Sequence, residues 1–183
     1  MAWLAERRRK SRFEAVVLPH LDAAYALARW LTRNDADAAD VVQEAVLRAF
    51  RYFDSYREGD PKSWVLRIVR RSCYSWLERN RPAEIVPLDA PGEGNERADA
   101  VLAAGGADAL LESRSDLRRL DRLIEGLPAP LREVIVLREL QELDYRQIAE
   151  VTGVPIGTVM SRLHRARSAL RRAWDGKEGE HGV

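Results

Sequence analysis

Apolar residues recur every three or four positions along most of this chain, the spacing that places them on one face of an α-helix. The first such run covers residues 13–31, and Pro19 interrupts it, so we expect a kink or a new helix there. Asp60 and Pro61 mark another helix start, because aspartate caps a helix and proline fits its first turn. The pattern predicts an all-α fold, with further helices over about 38–53, 61–80, 117–127 and 131–140.

The composition of the chain changes between residues 82 and 112. This stretch is rich in proline, glycine and acidic residues, which is typical of a linker. We therefore predict two small helical domains, 1–81 and 113–175, joined by an acidic flexible linker over 82–112. Within the linker, 98–104 and 107–111 are predicted to be transiently helical. Both ends are expected to be poorly ordered, namely a frayed basic start over 2–12 and a disordered tail over 176–183.

Residues 143–174 have the pattern of a helix-turn-helix. Asp144 can cap the first helix, and Gln147, three residues later, can reach back to the cap. Gly153 suits the left-handed conformation that ends a helix, and Pro155 suits the first turn of the next one. We expect a short helix, a tight turn and a long basic helix.

The long basic helix has an apolar face and a separate polar stripe that contains no acid. An arginine fork can bond a guanine edge or a phosphate, and the bare backbone at Gly157 lets a phosphate approach the helix start. Insertion into the DNA major groove is favoured over the alternative, an ordinary helical hairpin with a solvated basic face. The predicted contacts with duplex DNA are Gly157, Thr158, Ser161, Arg162, His164 and Arg165.

The helix over 61–80 interleaves aromatic residues with cations. Cations can hold phosphates while aromatic rings stack on unpaired bases, so this helix and the preceding loop are candidates for single-strand binding. The alternative is that the rings belong to the core; we adopt it for Trp64 and leave it open for Tyr56 and Tyr74. The candidate contacts are Tyr56, Lys62, Arg67, Arg70, Arg71 and Tyr74.

Composition excludes several classes of protein. A single cysteine, Cys73, cannot form an internal disulfide, and no apolar run is long enough to span a membrane. The basic start lacks the apolar core of a signal peptide, so we expect a cytoplasmic protein. Histidines are scattered, and neither a phosphate-binding glycine loop nor a nucleophile motif is present. We expect no metal, no cofactor and no enzymatic activity.

Two segments carry a family resemblance. GTVMSRLHRAR, preceded by DYRQIAEVTGVP, is similar to the promoter-reading end of a bacterial sigma factor of the small extracytoplasmic-function (ECF) branch. DAADVVQEAVLRAFR resembles the family segment DAEDLVQEVFLRAWR, and the segment from LPAPLREV onward resembles the family's LP-x-x-R-E-V-x-x-L. The resemblance covers about residues 13–174 and implies a region 2-like domain over 1–81 and a region 4-like helix-turn-helix domain over 113–175.

The resemblance implies a transcription initiation factor that binds core RNA polymerase, through the clamp helices of the largest subunit and the flap. It assigns the clamp contact to Asp40, Gln43, Glu44 and Leu47, the minus-thirty-five element to the helix-turn-helix, and the minus-ten element and melting to the aromatic basic helix. Family members often have asparagine where Arg71 stands and aspartate where Ser75 stands, so the base captured here is left open.

The resemblance also implies control by an anti-sigma factor. We expect that partner to wedge between 42–47 and 134–140, on apolar surfaces that two tethered domains leave uncovered. The alternative function is a helix-turn-helix repressor or activator that binds a palindromic duplex without polymerase.

Overall fold

In the part of the chain that the structure describes, the first domain contains four α-helices. The computed structural model describes residues 2–57, 59–85 and 114–175, and these ranges contain helices and turns but no strand. The all-α prediction is confirmed. The α-helices of the first domain are Ala2–Val17 (α1), Leu21–Thr32 (α2), Asp35–Arg51 (α3) and Pro61–Asn80 (α4), and short 3-10 turns lie at Leu18–His20, Phe53–Ser55 and Pro82–Glu84.

The second domain contains four further α-helices within the described ranges. They are Arg114–Gly126 (α5), Ala129–Ile135 (α6), Tyr145–Thr152 (α7) and Ile156–Asp175 (α8), and a π-helical segment, Val136–Leu140, continues α6. The segments 98–104 and 107–111 and the tail 176–183, for which we made predictions, lie outside the described residues.

Local signals set most of the helix boundaries. Pro19 lies in the turn between α1 and α2, as its fixed backbone predicts. The Asp60 side chain caps α4 by accepting the backbone N–H groups of Lys62 and Ser63. The helix expected from about residue 38 begins earlier, because the Asn34 side chain caps it by accepting N–H groups at 2.9 and 3.1 Å.

The basic N-terminal segment is helical, so the expectation of a frayed start over 2–12 is wrong. Arg9 anchors α1 to the first domain: its guanidinium donates to the Phe50 carbonyl at 2.7 Å, pairs with Asp54 at 2.9 Å and lies 4.7 Å from the Phe50 ring. Phe13, on the same helix, contacts the rings of Phe50 and Phe53 edge-on. The segment is therefore solvated, as predicted, but it is held as a helix by the contacts of Arg9 and Phe13.

The two domains pack directly against each other. Helix α4 lies against α7, and α2 lies against α6. A single cluster of buried apolar side chains runs through both domains, and its members include Leu27 and Leu66 of the first domain and Leu131 and Ile148 of the second. In this conformation the domains share one core, a closed arrangement that the sequence did not predict.

Glu84 shows that the start of the predicted linker is structured. Its Oε2 atom lies 2.6 Å from Arg33, the residue that follows α2, and 2.8 Å from Arg132 of α6. Glu84 ends the 3-10 turn that begins at Pro82. Composition assigned Glu84 to a flexible acidic linker because an acid beside prolines is typical of one. The correction is that this carboxylate belongs to the domain interface.

Candidate nucleic-acid interface

The helix-turn-helix has the predicted local structure. Asp144 accepts the N–H groups of Arg146 and Gln147 at 2.8 Å, while the Gln147 side chain accepts the Asp144 N–H at 2.9 Å. This is a complete capping box at the start of α7. Gly153 ends the helix with φ at +72°, the left-handed conformation that glycine tolerates best. The prediction of a short helix, a tight turn and a long basic helix is confirmed.

The beginning of α8 presents most of its predicted DNA contacts to solvent. Gly157, Ser161 and His164 are exposed, and Thr158 and Arg165 are half-buried. A methyl group added at Gly157 would meet no atom within 4 Å, so the backbone there is open to a ligand. Five of the six predicted duplex contacts therefore lie on an accessible surface.

Arg162 does not lie on that surface. Only 6% of the residue is exposed, and its Nη1 atom lies 3.7 Å from the carboxylate of Glu133, which is 0% exposed. The polar stripe has no acid within the helix itself, but α6 supplies one from outside the helix. The expectation that Arg162 shares an exposed stripe with Ser161 is wrong for this conformation, because the two residues point to different surroundings.

Arg70 of α4 meets the same carboxylate. Its guanidinium donates two hydrogen bonds to Glu133, at 2.7 and 3.1 Å, and lies 4.2 Å from the Tyr74 ring. Burial alone would lower the pKa of Arg70, but the Glu133 charge outweighs it and the pKa is raised. Burial and Glu133 together raise the pKa of Tyr74 well above its ordinary value. Both side chains are expected single-strand contacts, and here they face the second domain.

The remaining candidates on and before α4 divide into two groups. Lys62 Nζ donates to the Gln141 carbonyl at 2.7 Å, and Arg67 lies 3.8 Å from Glu150, so both bond to the second domain. Arg71 is exposed, and the half-buried Tyr56 ring stacks on Phe53. The predicted single-strand contacts Lys62, Arg67 and Arg70 therefore all face polar groups of the second domain in this conformation, and their contact with DNA stays a prediction.

Sequence reasoning missed two carboxylates that organise this region, the half-buried Glu84 and the fully buried Glu133. The signal for Glu133 was present: Arg132 and Glu133 interrupt the apolar run of residues 131–137, in which every residue is buried. Charges inside a buried stretch need partners. Arg132 is 0% exposed, and its guanidinium donates hydrogen bonds to the Glu84 carboxylate and to the carbonyls of Leu31, Glu125 and Leu127.

The expected polymerase contacts lie on the outer face of α3. Asp40, Gln43 and Leu47 are exposed, and Leu47 is unusual because 63% of this large apolar residue faces solvent. Glu44 is half-buried and pairs with Arg48 one turn later. These side chains form one surface that the second domain leaves accessible.

Comparison with known proteins establishes the family. Residues 16–82 match the family model of sigma-70 region 2, and residues 117–170 match that of sigma-70 region 4. The chain is 34% identical over 175 residues to the ECF RNA polymerase sigma-E factor of Escherichia coli (strain K12), spanning 91% of this chain and 90% of that protein. The chain belongs to the ECF family of RNA polymerase sigma factors. As an ECF sigma factor it binds core RNA polymerase and promoter DNA and directs transcription initiation, so the repressor alternative is not favoured.

Other relatives agree with this assignment. The ECF sigma factor SigE of Mycolicibacterium smegmatis is 30% identical over 168 residues, covering 87% of this chain and 60% of that protein. The solved structure of sigma factor RpoE from Bartonella quintana, in complex with the anti-sigma factor NepR, is similar with a TM-score of 0.65 and 26% identity over 90% of this chain and 97% of that one. CnrH, solved with the cytosolic domain of CnrY, shares the fold with a TM-score of 0.62 and 23% identity over 91% and 90% of the two chains.

The described residues hold neither a membrane-spanning candidate nor a metal-binding cluster. No helix in ranges 2–57, 59–85 and 114–175 is long and apolar enough to cross a bilayer. Within the same part of the chain, no three histidine, cysteine or acidic side chains group as metal ligands would.

Proposed function

We propose that this ECF sigma factor reads the minus-thirty-five element with the N-terminal half of α8. The observation that supports the assignment is the open backbone at Gly157, at the start of α8. The helix before it, α7, begins with a complete capping box and ends at the left-handed Gly153, which together set the turn into α8. Gly157 and Thr158 lie where backbone N–H groups can meet a phosphate, while Ser161, His164 and Arg165 reach the groove. Arg162 joins them only after it leaves Glu133.

The minus-ten element is assigned to α4 and the loop before it. Tyr56 and Arg71 are accessible in the closed arrangement. Lys62, Arg67, Arg70 and Tyr74 become available to single-stranded DNA when the domains separate, and an aromatic ring beside cations suits that ligand. Melting at this element therefore requires a conformation other than the closed one.

Core polymerase binding is assigned to α3, with the largest-subunit clamp helices as the partner of Asp40, Gln43, Glu44 and Leu47, and to the flap for the second domain. The exposed Leu47 supports this assignment, because a large apolar side chain in solvent marks an interaction surface. The protein works by binding alone, in the cytoplasm, with no catalytic step and no cofactor.

An anti-sigma factor is proposed as the regulator, and the similar sigma factor RpoE, which was solved in complex with the anti-sigma factor NepR, supports the proposal. The expected wedge site needs revision. Leu47 and Leu140 are exposed, but Val134 and Leu137 are fully buried, so the prediction of an uncovered surface over 134–140 is wrong for most of that segment. A partner would have to displace the first domain to reach it.

Reconstituted run-off transcription tests the assignments. Leu47→Ala should weaken binding to core polymerase severalfold, whereas Arg51→Ala, on the exposed end of the same helix, should not.

Arg165→Ala should lower promoter affinity by about 1–3 kcal/mol if the side chain contacts a base. Arg171→Ala, exposed on the far end of α8, is the matched control. Equal activity of Arg165→Ala and Arg171→Ala would refute the assignment to α8.

A further inference from the structure

Glu133 is the point where the two proposed DNA-binding helices meet. Its carboxylate accepts two hydrogen bonds from Arg70 of α4, at 2.7 and 3.1 Å, and lies 3.7 Å from Arg162 of α8. The Glu133 side chain is fully buried, and a buried charge is tolerated only where it is paired. One carboxylate is therefore shared by a cation from each helix.

Neighbouring cations on α4 are used in the same way. Lys62 donates to the Gln141 carbonyl at 2.7 Å, a group that the π-helical turn after α6 presents to it. Arg67 faces Glu150 of α7 at 3.8 Å. The second domain thus supplies a carboxylate or carbonyl oxygen to three cations that would otherwise hold phosphates.

We propose that the cation face of α4, formed by Lys62, Arg67 and Arg70, is a shared docking surface. The second domain occupies it in the free protein, and single-stranded promoter DNA occupies it in the polymerase complex, with Glu133 in the place of a phosphate. A carboxylate offers arginine the same two-oxygen acceptor as a phosphate, so one guanidinium fork serves both. The two occupants exclude each other.

The inference rests on the proposed role of α4, and it has a consequence for the order of assembly. Asp40, Gln43 and Leu47 stay exposed while α4 is covered. The closed protein can therefore meet polymerase before it can grip DNA. A ligand that binds only the open state has its apparent affinity reduced by the open fraction, so free protein binds single strands weakly.

The test uses the full-length chain and the variant Glu133→Gln, which keeps the side-chain shape and removes the charge. Glu78→Gln, exposed on α4, makes the same change in net charge and is the matched control. A second variant, Glu84→Gln/Gln147→Glu, weakens the interface elsewhere, at Arg132 and at Asp60, and leaves Glu133 and the α4 cations intact. Its net charge equals that of wild type, so a gain in affinity for an anionic strand cannot come from added positive charge. Each protein is checked for helical content by circular dichroism.

Two readouts are measured without polymerase. Dyes on Ala39→Cys and Arg171→Cys, both exposed positions, report domain separation by energy transfer; Cys73 is buried and stays unlabelled. Affinity for fluorescein-labelled oligodeoxythymidine is measured by anisotropy on unlabelled protein. We expect both opened variants to lose energy transfer and to bind the oligonucleotide about tenfold more tightly than wild type and Glu78→Gln.

Two results would overturn the proposal. One is unchanged energy transfer in every folded variant, because the interface charges would then not hold the closed state. The other is clear opening with no gain in oligonucleotide affinity over Glu78→Gln, because the α4 face would then not be the covered site. If Glu133→Gln fails to fold, the double variant decides. Run-off transcription distinguishes failure of the proposed function from failure of this inference. Wild-type protein that does not start transcription refutes the proposed function. Active wild-type protein combined with unchanged energy transfer, or with opening that does not raise oligonucleotide affinity, refutes only the shared surface.

Discussion

Replacing Glu84 by glutamine should destabilise the protein by about 2–3 kcal/mol. The side chain is only 17% exposed, and its Oε2 atom receives Arg33 at 2.6 Å and Arg132 at 2.8 Å. Removing one partner of a buried ion pair costs about 3–5 kcal/mol, because the remaining charge stays buried without compensation. Arg132 keeps three backbone carbonyls within 3.1 Å, so we place the loss at or just below the lower end of that range.

Urea unfolding followed by circular dichroism measures this loss. A change of about 2–3 kcal/mol corresponds to roughly 30- to 140-fold in the unfolding equilibrium. Glu78→Gln, exposed on α4, should stay within about 0.5 kcal/mol of wild type. If Glu84→Gln matched Glu78→Gln, Glu84 would be a solvated linker residue, and the account of the domain interface given above would be wrong.

Three further predictions follow from local features. For acid sensitivity, burial acts to raise the pKa of both Glu84 and Asp60, but hydrogen bonds, and for Glu84 the arginine charges, outweigh it and lower both values. The ionised carboxylates therefore stabilise the folded protein fully above their ordinary pKa values of 4.5 and 3.8, and this stabilisation is lost as the pH falls through the lowered values. We expect energy transfer between the two domains to fall in that pH range. An unchanged signal down to full unfolding would contradict this. Burial, with Glu133, raises the pKa of the Cys73 thiol far above its ordinary value, so a thiol reagent should label it only in denaturant, and rapid labelling of native protein would show the site opens. Gly153→Ala should lower the free energy of unfolding by about 1–2 kcal/mol, because φ at this position is +72°. Gly157→Ala, which has open space around the added methyl group, should leave the melting temperature unchanged. Equal melting temperatures for the two variants would count against the left-handed turn.

Local chemistry was predictable from sequence, and contacts between distant residues were not. The capping box at Asp144, the glycine turn at Gly153 and the cap at Asp60 each depend on residues within three positions of one another, so their signals survive in the sequence. Arg70 and Glu133 are 63 positions apart, and neither carries a local sign of its partner.

Arg162 illustrates the same limit from the other side. Helical spacing places it correctly near Ser161 and Arg165 along α8. The same spacing does not tell which side chains of the polar stripe are exposed and which are covered by another helix. That edge is decided by α6, which brings Glu133 to it. The signal in the sequence is the apolar run over residues 131–137, because the charges of Arg132 and Glu133 inside it need partners if the run is buried.

The Gln147 side chain makes one hydrogen bond within the helix-turn-helix and a second one across the domain interface. Its oxygen accepts the Asp144 N–H and completes the cap of α7, while its nitrogen donates to Asp60, the cap of α4, at 2.9 Å. A glutamate at this position would keep the cap, since either residue serves there, but it would set two carboxylates against each other across the domain interface. Exchange of one amide nitrogen for oxygen would thus tune how readily the protein opens while the helix-turn-helix keeps its shape. One substitution at position 147 can therefore shift the balance between closed and open protein without changing any residue assigned to promoter DNA.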